Sequence, residues 1–224
     1  MILTKELLIS ELHTSSKNIS RSRSVLYTVC LLNFIKITIS RYFRISFKPF
    51  TLQQTNCMKK MGIIYGSSTG TCESIAQTIA EKLGVASVDV IDASKITTEK
   101  VGGYDILLLG TSTWGDGELQ DDWYDAIKTV KTADLNGKIV ALFGCGDSES
   151  YCDTFCDGMG VIYDQLKNSG CTFVGAVPAD EYSYSSSIAV IDGKFVGLAL
   201  DDVNESGKTE ERINNWIEEI KKNL

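Results

Sequence analysis

At 224 residues, 43% hydrophobic, with a formal net charge of −7, the chain has the make-up of a soluble globular protein of one or two domains. The charge is split: residues 1–57 hold eight Lys/Arg against two acids, and the rest holds 14 basic against 27 acidic residues, an acidic body that disfavours nucleic acid and suits basic protein partners. Seven scattered cysteines, an odd number in a chain large enough to have a core, argue against a disulfide scaffold and for a reduced, cytoplasmic protein. Cys145, Cys152 and Cys156 match no common zinc spacing, and the body has no histidine, so these are read as small buried thiols.

Residues 1–57 form a basic N-terminal extension. Its apolar run, Val25 to Ile35, is too short to span a membrane, its charged lead is too long for a signal peptide, and no Ala-x-Ala follows. Two readings stand, an organelle-targeting segment or a chain read from an upstream start. We favour the second, with a disordered or non-native extension and a natural terminus at Met58, because Met58-Lys59-Lys60 opens directly into a strand.

From there apolar runs alternate with amphipathic helices. Gly62–Tyr65 is a first strand, and a loop of glycines and hydroxyl residues, Gly66 to Cys72, leads into a helix over Glu73–Leu83. Val85–Ile91 reads as strand two, followed by a short helix near Thr98–Val101. The continuous apolar run Asp105–Gly110 is a strand buried on both faces. A loop rich in glycine and acids precedes a helix around Asp122–Thr129. Lys138–Gly144 is strand four, Asp157–Asn168 contains a helix, Thr172–Val177 is strand five, and Thr209–Lys222 is the last helix, with Ile213, Trp216, Ile217 and Ile220 on one face. Five β-α units predict an α/β fold with a parallel sheet between helices, and the apolar run Lys194–Leu200 marks an insertion that splits or duplicates the last strand.

Open parallel sheets bind ligands at the C-terminal ends of their strands. The loops expected there are Ser67–Cys72, Thr111–Leu119 and Cys145–Asp153. The first is neither a Walker A nor a dinucleotide fingerprint. It is a cationless cradle that would hold a phosphate by hydrogen bonds, with a helix N-terminus behind it. Trp114 in the second loop and Tyr151 in the third would stack a flat heterocycle, ordinary core or surface aromatics being the alternative.

The segments Tyr65–Ser74, Gly110–Trp123, Leu142–Tyr151 and Asp192–Asp201, in that order, resemble flavodoxins, the last resembling the end of the long-chain insertion. The resemblance covers residues 58–224. It implies a flavodoxin-like three-layer sandwich with strand order 2-1-3-4-5 and an insertion in the last strand, binding FMN non-covalently. It implies that Ser67, Ser68, Thr69, Gly70, Thr71 and Cys72 form the phosphate loop, that Thr113, Trp114, Gly115 and Asp116 form the second loop, and that Gly146, Asp147 and Tyr151 form the third, with the two aromatics on opposite ring faces. Cys72 stands where the family usually has a threonine whose hydroxyl reaches the phosphate; a thiol is a weaker donor, so Cys72→Thr is expected to tighten FMN. No contact is carried over to Thr154, which stands where long-chain members often have asparagine.

The implied function is a low-potential one-electron carrier, not an enzyme, cycling between semiquinone and hydroquinone as a monomer. Its expected partners are redox proteins with basic docking faces, such as NADPH-dependent flavodoxin/ferredoxin reductases and pyruvate oxidoreductase-type enzymes, with no nucleic acid and no membrane. The Gly115 carbonyl is expected to turn toward flavin N5 on reduction, and Asp116, Glu118, Asp121, Asp122, Asp147, Glu149 and Asp153 to disfavour a second electron and steer partners. A flavodoxin-like NAD(P)H:quinone reductase is the alternative. A phospho-receiver is excluded by the residues after strands one and three, which are hydroxyls and glycines where acids are needed.

Overall fold

The computed structural model describes residues 59–224; the expectations for residues 1–57 and for a terminus at Met58 lie outside the described residues. Five strands run parallel. β1 (Met61–Gly66) lies between β2 (Val90–Asp92) and β3 (Ile106–Trp114), and β3 is followed outward by β5 (Ile139–Cys145). The lane beyond β5 is shared: β6 (Thr172–Val174) pairs with Ile139–Ala141, and β10 (Leu198–Leu200) pairs with Phe143–Cys145. This is the expected order 2-1-3-4-5, with the fifth strand interrupted. Between its halves a small antiparallel sheet forms from β7 (Val177–Pro178), β9 (Lys194–Phe195) and β8 (Val190–Ile191).

The alternation of side chains sorts the core into two layers. Ile63, Leu108, Ala141 and Phe143 point toward helices α1 (Thr71–Leu83) and α5 (Ser206–Lys221), where they meet Ile79, Ile213 and Trp216. Ile64, Leu107, Leu109 and Leu142 point the other way, toward α2 (Thr98–Gly102), α3 (Trp123–Thr132) and α4 (Asp157–Leu166), meeting Val101, Trp123 and Met159. Leu107, Leu108 and Leu109 are all fully buried, as a strand covered on both faces requires, each stabilising the fold by about 1.5–3 kcal/mol. The two buried tryptophans find acceptors within the core: Trp123 Nε1 donates to the Gly110 carbonyl and Trp216 Nε1 to that of Gly175, both at 2.8 Å.

Several boundaries differ from the sequence reading, and strand five ends at Val174 rather than Val177. Strand two is shorter than Val85–Ile91, because Ser87–Asp89 winds into a 3₁₀ turn whose Asp89 carboxylate accepts the Tyr104 hydroxyl at 2.8 Å. Strand three runs on to Trp114, because Thr113 and Trp114 pair antiparallel with β4 (Glu118–Leu119), turning the expected loop into a hairpin. The last helix begins at Ser206 rather than Thr209. The inserted Tyr182 and Tyr184 and β9's Phe195 pack around Phe155 with ring centroids 5.1–6.1 Å apart, so the insertion has an aromatic core of its own joined to the sheet's. Arg212 of α5 lies 4.1 Å over the Tyr182 ring and pairs with Glu205 at 2.7 Å. Among the described residues no helix is long and apolar enough to cross a membrane.

Candidate functional site

A cleft of about 790 Å³, counting space open to solvent, lies at the C-terminal edge of the sheet, where β1, β3 and β5 end. The first loop contributes Thr69 and Thr71 to its wall, the second Ser112 to Gly115, and the third Cys145 to Asp147 and Tyr151. No lysine or arginine lines it.

The first loop starts at Gly66, where a Cβ would lie 2.3 Å from Gln120 Oε1 and 2.5 Å from the Trp123 ring, so only hydrogen fits. Ser67 Oγ accepts the Gly70 N–H at 3.1 Å, and Gly70 takes φ +90°, a conformation open to glycine at little cost. Helix α1 then begins with no side-chain cap, and its first internal bond runs from the Ser74 N–H to the Gly70 carbonyl at 2.9 Å. The N–H groups of Thr71, Cys72 and Glu73 are therefore left for a partner outside the helix, at its positive end. The Cys72 thiol does not face that partner. It is fully buried, and hydrogen bonding to Cys145 together with burial pushes it well above the usual thiol range. Its contribution to the loop is its backbone. Nearby, burial and the hydrogen bond to Glu73 at 3.1 Å push the Tyr65 phenol up to about 12.

The second loop is the tip of the β3–β4 hairpin. Gly115 (φ +49°) and Gly117 (φ +95°) make the turn, closed by the Gly117 N–H on the Trp114 carbonyl at 3.1 Å. Trp114 is 42% exposed, its Nε1 donating to Ser112 Oγ at 2.9 Å. A Cβ on Gly115 would sit 1.8 Å from a Glu118 carboxylate oxygen. Thr113 Oγ1 accepts the Gly158 N–H at 3.1 Å, which ties the hairpin to the start of α4.

The third loop is held by two carboxylates. Asp147 accepts the N–H groups of Ser150 (2.9 Å) and Glu149 (3.1 Å) and the Asn204 amide (2.9 Å), and these bonds hold its carboxyl below the usual range. Asp201 is 1% exposed. Burial alone would raise its carboxyl, but the bonds from the Ser148 hydroxyl (2.5 Å), Asn204 amide (3.0 Å), Asn204 N–H (3.0 Å) and Ser148 N–H (3.0 Å) outweigh it and leave it lowered. Tyr151, 54% exposed, closes this side.

Of the residues expected at the site, Thr69, Thr71, Thr113, Trp114, Gly115, Gly146, Asp147 and Tyr151 come together in the cleft wall. Gly70 lines an adjoining groove between α1 and α5, Asp116 is exposed on the hairpin turn, and Ser67 and Ser68 shape the loop without lining the cleft. Thr154, Asp202 and Val203 also line it and were not expected. The signal for the last two was available: they follow β10, and the rule that selected loops after strands one, three and four applies equally to the second half of strand five.

The flavodoxin family model matches residues 63–216. The chain is 44% identical to flavodoxin 1 of Escherichia coli K12 over 164 residues, covering 73% of this chain and 93% of that protein. It is 43% identical to flavodoxin 1 of Azotobacter vinelandii over 164 residues, 71% and 94% of the two. The crystal structure of Fusobacterium nucleatum flavodoxin bound to flavin mononucleotide superimposes with a TM-score of 0.68 at 32% identity, covering 75% of this chain and 99% of that one.

Proposed function

Because the chain belongs to the flavodoxin family, we propose that it is a non-enzymatic electron carrier that binds FMN in the cleft at the sheet's C-terminal edge. The observation that carries this is the pairing, in one cleft, of unbonded N–H groups at the start of α1 with two half-exposed aromatics, Trp114 and Tyr151. The donor set fits the cofactor. A phosphate would be held by the N–H groups of Thr71 to Glu73 with the hydroxyls of Thr69 and Thr71, without a cationic side chain. A flat ring system would be held beside Trp114 and Tyr151. When bound, FMN would supply reversible one-electron chemistry at low potential, which tyrosine, tryptophan and cysteine side chains do not offer.

The chain's own residues set the conditions for that chemistry. Gly115, already at positive φ, can turn its carbonyl with little steric cost and present an acceptor to a newly protonated nitrogen. Asp147 and Asp201 keep the third loop in place while the loop itself stays polar. Asp116, Glu118, Asp121, Glu149 and Asp153 are exposed around the cleft, with Asp122 and Asp147 half-buried; this negative field opposes accumulation of a second negative charge and favours low potentials.

Members of the family serve redox protein partners. For this chain we assign NADPH-dependent flavodoxin/ferredoxin reductases and pyruvate oxidoreductase-type enzymes, docking by basic faces onto the acidic rim, and a monomeric, cytoplasmic carrier. The test is reconstitution of the purified protein with FMN, followed by anaerobic reductive titration. One FMN per chain and two well-separated one-electron potentials are expected. A chain that retains no FMN, or takes two electrons in a single step, would refute the assignment.

A further inference from the structure

We infer that Gln120 is a positioning residue for the phosphate end of the cleft, an uncharged amide that braces the first loop from behind. This rests on the reading that the loop from Ser67 to Cys72 receives the FMN phosphate. Gln120 directly follows β4, is 3% exposed, and does not line the cleft. Its Nε2 donates to the Asp122 carboxylate at 2.7 Å and, at a longer 3.4 Å, to Ser68 Oγ; its Oε1 accepts the Asp122 N–H at 3.1 Å. The same Oε1 fills the space that a side chain on Gly66 would need. One buried amide thus touches the end of β1, the phosphate loop and the first turn before α3.

An amide suits this place for two reasons. It both donates and accepts, so Ser68, Asp122 and the Asp122 N–H are satisfied by one side chain, and an apolar residue would leave the half-buried Asp122 carboxylate and N–H without these bonds. It is also neutral. The loop in front of it has no cation, so a carboxylate of the same shape would set a negative charge behind a cradle that must accept a phosphate dianion, with only backbone dipoles opposing it. That charge would also face the Asp122 carboxylate. Gln120 stands at the base of the hairpin whose tip carries Trp114, so the two ends of the cleft share one element.

The experiment compares FMN with riboflavin, which lacks the phosphate, by fluorescence titration of the apoprotein. Gln120→Glu should weaken FMN by at least about tenfold and riboflavin by less than about twofold, with the FMN loss deepening as pH rises and the new carboxyl ionises. Gln120→Leu should weaken FMN several-fold and leave riboflavin unchanged. Equal losses for both ligands, or wild-type FMN affinity in either variant, would overturn the inference. Thermal melting of each apoprotein separates misfolding from lost recognition, and if Gln120→Glu fails to fold, Gln120→Leu alone decides. Failure of the wild-type protein itself to prefer FMN would instead strike the functional reading on which the inference rests.

Discussion

At one end of the cleft the chain offers backbone N–H groups, backed by buried side chains: Cys72 in the core, Gln120 behind Ser68, Trp123 against Gly66. At the other it offers side chains on loop tips, with Trp114 and Tyr151 about half exposed and carboxylates around them. The first end is backed by uncharged side chains; the second is ringed by carboxylates and open. The contrast separates two tasks. Grip on the cofactor needs fixed donors at the start of a helix. Potentials and partner access need groups that can move and that a partner can reach.

Perturbing each end tests that division. The largest effect should come from salt: electron-transfer rates to a basic-faced reductase, followed by stopped flow, should fall at least about tenfold between low and physiological ionic strength, and a flat profile would remove the acidic rim from the account. Trp114→Ala should weaken FMN roughly tenfold, about 1.4 kcal/mol, measured by flavin fluorescence titration. Gly115→Thr places a side chain against Glu118 in a backbone conformation that costs about 1–3 kcal/mol, and should lower the first one-electron potential by roughly 60 mV in spectroelectrochemistry.

The acid side sharpens the contrast from the third loop. Asp147 and Asp201 have carboxyls held below the ordinary range, so their stabilisation is present above the unfolded value near pH 4 and is lost as pH falls through the native one. Urea denaturation in a pH series should show stability dropping below about pH 4. Asp201→Asn should cost about 1–2 kcal/mol at pH 7 and flatten that acid limb. The smallest effect is expected at Cys72. With its side chain packed in the core beside Cys145, Cys72→Thr should change FMN affinity less than about threefold, contrary to the tightening that the family pattern implies. A tenfold gain would mean that the threonine side chain turns outward to the phosphate.

Much of this was legible in the sequence, for identifiable reasons. Short continuous apolar runs such as Ile106 to Leu109, bounded by Asp105 and Gly110, fit strands buried on both faces, their alternation with helices fits a parallel sheet, and the order of the strands came from the family resemblance. The two aromatics and the glycine-hydroxyl loop stand out by composition. What periodicity could not reach was contact at a distance. Nothing local in Gln120 or Asp201 marks them as buried, because both belong to polar stretches; their burial follows from the hairpin folding back and from β10 returning beside β5. The hairpin itself was hidden because β4 is two residues long. The direction of the Cys72 side chain depends on how α1 sits on β5, which no spacing rule encodes.

The interrupted fifth strand has a consequence for how this chain can change length. β6 faces Ile139–Ala141 and β10 faces Phe143–Cys145, while a Cβ on Gly197 would press on the Leu142 carbonyl at 2.2 Å, so Gly197 stands opposite the one position left between them. Phe173 and Ala199 share one core layer; Val174, Leu198 and Leu200 share the other. Joining Val174 directly to Gly197 would yield an unbroken strand with every side chain on its present face. Residues 175–196 are therefore spliced in at a single rung of the ladder, and losing them would strip Phe155 of its ring of aromatics, the buried Trp216 Nε1 of its Gly175 acceptor, and the Cys152 carbonyl beside Tyr151 of the Ser185 and Ser186 N–H groups.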